Sequence, residues 1–123
     1  MESNRDLITF EAKNPRHRGV ISGATIVERR ANPSCGDVVT MYAELDGEMI
    51  KTIKFEGVGC VISMASASMT SNALAGKRID EVLGLANEDI ARLTGIEVGP
   101  MRENCLMLGV DALKRGITLW KQV

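Results

Sequence analysis

Three cysteines and one aspartate are the residues of this sequence that could do chemistry together. Cys35 and Asp37 lie two apart in NPSCGD, Cys60 sits in GVGCVIS and Cys105 in RENCLML. Three sulfur donors and one carboxylate oxygen suit a tetrahedral site for zinc, or for iron in a sulfide cluster, and not magnesium or calcium. Separations of 25 residues from Cys35 to Cys60 and 45 from Cys60 to Cys105 are unlike the closely paired C-x-x-C turns of zinc fingers. The fold must therefore assemble this site. An oxygen among soft sulfurs also suits a ligand that is meant to let go.

Local sequence puts each of these residues at a turn or a helix start. Pro33 and Gly36 make a turn between two strands, from which Cys35 and Asp37 can point to a common centre. Cys60 opens a Ser/Ala-rich helix, where unpaired backbone N–H groups and the positive end of the helix dipole favour a thiolate. Cys105 falls in the first turns of the last helix, and Arg102, one turn earlier, is the cation that would support its thiolate. The single histidine, His17, lies between Arg16 and Arg18 and is expected to be an exposed loop side chain.

The elements that position these residues follow from periodicity. NRDLITFEA predicts a short helix stopped at Asn14-Pro15. GVISGATIVERR, DVVTMYAEL and EMIKTIKFEG predict three strands, the last two joined at Asp46-Gly47. Val39, Met41, Ala43 and Leu45 alternate onto one face, as do Ile53 and Phe55, while Lys51 interrupts that face and has to snorkel or sit at an edge. Beyond Gly59 the period becomes helical, with Ile62, Ala65, Met69 and Ala73 as a stripe ended by Gly76. Two short helices follow, the second capped by Asn87 and stopped by Gly95. Gly99-Pro100 then opens a helix with Leu106, Val110, Leu113, Ile117 and Trp120 on one side. Strands first and helices after predict an α+β fold, a three-stranded antiparallel sheet with helices packed on one face, as a single domain over residues 1–123.

Composition narrows the function classes. Aromatics are 3% against an apolar fraction of 45%, so the core is built from aliphatic residues and seven methionines. Fifteen basic and 16 acidic residues, without runs of like charge, exclude the electrostatic footprint of a nucleic-acid binder. The most apolar stretch, near Val58 to Met69, is interrupted by Ser and Gly and is too short to span a membrane. The N-terminal MESNRDLITFEAKN has no apolar core of signal-peptide length, so a cytoplasmic location is expected. In a reducing compartment three cysteines point to thiolate chemistry rather than a disulfide frame.

NPRHRGVI, NPSCGD, FEGVGCVISMASASM, ALAGK and RENCLMLGVDAL together resemble the U-type iron-sulfur cluster assembly scaffolds, the IscU, SufU and NifU N-terminal family. The resemblance implies that Cys35, Asp37, Cys60 and Cys105 hold the ligand positions. It implies a non-enzymatic scaffold on which a cysteine desulfurase's sulfur and iron form a cluster, usually [2Fe-2S], that passes to acceptor proteins. Zinc can occupy the same site, and a homodimer around a shared cluster is compatible with it. Asn104 stands where IscU proteins have a histidine, so Asp37 is the implied fourth donor. VGPMR keeps only Pro100 and the basic Arg102 of the IscU chaperone-recognition pattern. The ISMASASM block and Arg102 look more like SufU, some members of which are zinc-dependent sulfurtransferases. On that alternative, Cys105 and Cys35 are the candidate persulfide acceptors.

Overall fold

Alternation of apolar and polar residues builds a sheet with one face for the core. In the computed structural model, which describes residues 2–34 and 36–122 and gives residues 2–6 and 101 by backbone alone, β1 (Ile26–Asn32), β2 (Asp37–Asp46) and β3 (Met49–Val58) form an antiparallel sheet in the order β1-β2-β3. Val39, Met41 and Ala43 of β2, with Ile50, Ile53 and Phe55 of β3, are all 1% exposed or less. Burying a large apolar side chain contributes about 1.5–3 kcal/mol, whereas the whole strand-propensity scale spans only about 1 kcal/mol. The one-sided face therefore sets the register, because a slip of one residue would turn all six outward.

The predicted strand over Gly19 to Arg30 is shorter than expected, since β1 starts only at Ile26. Gly19 and Gly23 have φ of 145° and 71°, outside the strand region, and turn the chain before β1. Residues 17–19 run instead along the outer edge of β3, where Phe55 N–H donates to the His17 carbonyl and Gly19 N–H to the Phe55 carbonyl. His17 is consequently half-buried rather than exposed, with Nδ1 donating to the Ile53 carbonyl at 3.0 Å.

Lys51 neither snorkels over the core nor breaks it. Glu44 pairs with Thr52 but Leu45 pairs with Ile50, so Lys51 is the extra residue of a β-bulge and points to solvent while Ile50 takes the inward position. Gly47 and Glu48 form the two-residue turn of the hairpin, one position later than predicted, with Gly47 at φ 64°.

α2 (Val61–Leu74) and α5 (Glu103–Lys121) cover the apolar face, and α1 (Glu2–Lys13) packs on α2. α3 (Ile79–Leu83) and α4 (Asn87–Thr94) bridge the two long helices, and a 3-10 turn at Pro100–Arg102 leads into α5. The side predicted for α5 is correct, with Leu106, Val110, Leu113 and Ile117 buried. The stripe predicted for α2 is correct in part. Ala65 is fully buried, and Ile62 and Met69 pack half-buried against the core; Ala73 is also half-buried, but Ser63, Ser66, Ser68 and Ser71 are buried more deeply than these three. α2 packs against α1, α4, α5 and β3, so most of its surface is buried and small polar residues share the interior with apolar ones. α4 starts one residue earlier than predicted, with Ala86 as N-cap and its N–H satisfied by the Asp89 carboxylate at 2.8 Å. Among the described residues no helix is long and apolar enough to cross a membrane.

Candidate metal centre

Three elements end at one point. Asp37 is the first residue of β2 and lies opposite Asn32, the last residue of β1. Strand alternation puts Asp37 on the same face as Val39 and Met41, so its carboxylate turns inward, 3% exposed, under the helices. Gly59 carries the chain from β3 to Cys60, the N-cap residue of α2. Cys105 is the third residue of α5 and is 5% exposed, enclosed with Leu106, Met107 and Leu108.

One ligand atom from each of Asp37, Cys60 and Cys105 lies within 4.8 Å of the others. Cys35 lies outside the described residues, between Ser34 and Gly36 in the sequence. Arg102 ends the 3-10 turn, is exposed, and forms no ion pair among the described residues. The donor set, two sulfurs and an oxygen from separated segments, fits zinc or an iron-sulfur cluster and leaves room for a fourth ligand.

Three supporting residues escape a reading by residue type. Ser63 donates its hydroxyl to Asp37 Oδ2 and lies 3.5 Å from Cys60 Sγ, while Cys60 N–H donates to Asp37 Oδ1 at 3.2 Å. Asn32 Nδ2 donates to Cys105 Sγ at 3.7 Å, and its Oδ1 and carbonyl accept the N–H groups of Ser34 and Gly36. Gly59 provides space, since a Cβ there would come within 2.9 Å of Asp37 Cγ. The one signal pointing to Ser63 was its position three residues after Cys60 on a helix, which puts it one turn away. The neighbouring serines bond elsewhere, Ser66 donating to the Leu106 carbonyl at 2.6 Å and Ser68 to the Glu11 carboxylate at 2.7 Å.

Comparison with known proteins bears on this arrangement. The family model described as the NifU-like N-terminal domain matches residues 4–123. The chain belongs to that family. It is 36% identical to the zinc-dependent sulfurtransferase SufU of Bacillus subtilis, across 92% of this chain and 88% of that one. It is 32% identical to IscU of Thermotoga maritima, an iron-sulfur cluster assembly scaffold protein, across 86% of each chain. Among solved structures, one from Fervidobacterium islandicum, described as a cluster assembly scaffold for the SUF system, superposes with a TM-score of 0.81 at 30% identity, covering 91% of this chain and 94% of that one. The family thus holds scaffolds and a sulfurtransferase on one fold, and only the site can separate them here.

Proposed function

We propose that this chain is a scaffold on which an iron-sulfur cluster, [2Fe-2S], is assembled and then passed to acceptor proteins. Cys35, Asp37, Cys60 and Cys105 are the ligands, iron and desulfurase-derived sulfur are the substrates, and a cysteine desulfurase and the acceptors are the partners. The observation that carries the reading is the convergence of Asp37, Cys60 and Cys105 within 4.8 Å from three separated elements. A mixed sulfur and oxygen set holds iron through the thiolates, and the carboxylate is the donor most readily exchanged for an acceptor's cysteine. Met107 is 2% exposed and cannot serve as a docking contact, and the Met101 side chain lies outside the described residues. Val58 and Val61, 65% and 49% exposed on either side of Cys60, offer a partner apolar contact instead.

Anaerobic incubation with iron and sulfide, or with a desulfurase and cysteine, should produce sulfide-to-iron absorption bands. Protein that stays colourless would end this reading. Asp37→Ala should still bind a cluster but release it several-fold more slowly to an apo-acceptor, and transfer at the wild-type rate would remove Asp37 from the role of leaving ligand.

The relation to the Bacillus subtilis sulfurtransferase favours a second reading. Here zinc fills the site, and a cysteine thiolate takes the terminal sulfur of the desulfurase persulfide, returning the desulfurase cysteine as thiolate. Cys105 and Cys35 are the candidate acceptors, and the burial of Cys105, 5% exposed, counts against it in that role. Zinc that resists replacement by a cluster, together with strong stimulation of a desulfurase, would select this reading. Native mass spectrometry of anaerobically purified protein separates the zinc and cluster forms and counts subunits.

A further inference from the structure

Asp37 sits in a fitted seat. Its Oδ2 accepts the Ser63 hydroxyl proton, its Oδ1 accepts the Cys60 N–H at 3.2 Å, and Gly59 leaves the space that a methyl group would take from its Cγ. Ser63 is 1% exposed, so water does not compete for that hydroxyl. The hydroxyl has a single hydrogen, and an ionised carboxylate can only accept it. The Ser63 oxygen keeps its lone pairs, and Cys60 Sγ is 3.5 Å away. One buried hydroxyl thus touches two of the three described donor residues.

An aspartate's terminal torsion is broad, so an unsupported carboxylate would not hold one oxygen steadily toward the sulfurs. Each carboxylate oxygen has two acceptor positions, so binding a metal through one lone pair does not require Asp37 to give up the bonds from Ser63 and Cys60. We propose that Ser63 is the positioning residue for the oxygen ligand, fixing Asp37 so that the centre is completed by a carboxylate rather than by solvent. This rests on the reading of Asp37 as a ligand and adds the group that controls it. Ser66 and Ser68 do not share the role, because their hydroxyls go to the Leu106 carbonyl and to Glu11.

Cobalt(II) bound to the apo-protein tests this, because its d–d bands report the ligand set without any cluster or turnover. Wild type should show thiolate-to-cobalt charge transfer and tetrahedral d–d bands. Ser63→Ala should shift the d–d bands and weaken cobalt binding by about 10–100-fold, the range for losing an outer partner of a metal ligand. Ser63→Thr, which keeps the hydroxyl, should restore both. Gly59→Ala, which crowds the carboxylate and spares the hydroxyl, should reproduce the shift. In an Asp37→Ala background Ser63→Ala should have a much smaller effect, because its bond to the ligand carboxylate is already gone and only the contact with Cys60 Sγ remains.

Wild-type bands and affinity in Ser63→Ala would overturn the proposal, as would an undiminished loss in the Asp37→Ala background. If circular dichroism shows that Ser63→Ala does not fold, Gly59→Ala decides, and an unchanged spectrum there overturns it. A wild-type protein without charge-transfer bands would remove the metal reading and this proposal together. Bands in wild type that Ser63→Ala leaves untouched would remove this proposal alone.

Discussion

A carboxamide N–H beside a sulfur stabilises negative charge on it, and Asn32 supplies one to Cys105 from the end of β1. The same side chain accepts Ser34 N–H at 3.2 Å, so it also shapes the turn that leads to Cys35 and Asp37. Asn32→Ala removes both bonds at a residue only 6% exposed. Ser34 is exposed and water can replace its lost acceptor, which keeps the expected cost near the low end for a buried polar deletion, about 1–2 kcal/mol in urea unfolding of the apo-protein. A variant as stable as wild type would show that Asn32 is incidental. Cysteines and an aspartate announce themselves by type, and the convergence of Asp37, Cys60 and Cys105 was legible from their placement at element ends. Asn32 and Ser63 were not. A small polar residue in a turn or an Ala/Ser helix looks the same whether it faces solvent or a ligand, and only the tertiary contact decides between them.

The approach of α5 to the sheet depends on a missing side chain. Gly116 lies over β1, and a methyl group on it would fall 2.4 Å from Ile26 Cγ2. Alanine is worth about 1 kcal/mol more than glycine inside a helix, while overpacking a core costs about 1–3 kcal/mol. Ile26 is 2% exposed and its Cγ2 is next to the backbone, so neither can yield easily. Gly116→Ala should therefore lose up to about 2 kcal/mol net, and adding Ile26→Ala should recover part of that loss in a double-mutant cycle by urea unfolding. A stabilised Gly116→Ala would mean that propensity wins and the contact is soft. Most element ends could be read from the chain, because Pro15, Gly76 and Gly95 act locally. The start of β1, the bulge at Lys51 and the burial of α2 could not. Each depends on what lies across from it: the 17–19 segment on β3, the pairing of β2 with β3, and the packing of α1, α4 and α5 around one helix.

At the scale of the whole molecule, pH acts through carboxyls whose surroundings change on folding. Burial raises the pKa of Asp111 on α5, a shift that Arg30 and Lys114 only partly offset. A raised carboxyl favours the fold in its protonated form, so its contribution is fully present below the ordinary carboxylate pKa and is lost as pH rises through the raised value. Asp111→Asn should then unfold at a higher urea concentration than wild type at neutral pH, with the difference shrinking as pH falls into the carboxylate range. A pH-independent difference would place the effect in packing. The same global view gives the 17–19 segment a second meaning. A three-stranded sheet has two open edges, each a template for another chain's backbone. Here the His17 to Gly19 stretch occupies the edge of β3, and β1 presents Glu28, Arg29 and Arg30 at the other. Strand-to-strand aggregation is discouraged on both sides, which would suit the brief encounters with partners that the proposed scaffold role requires.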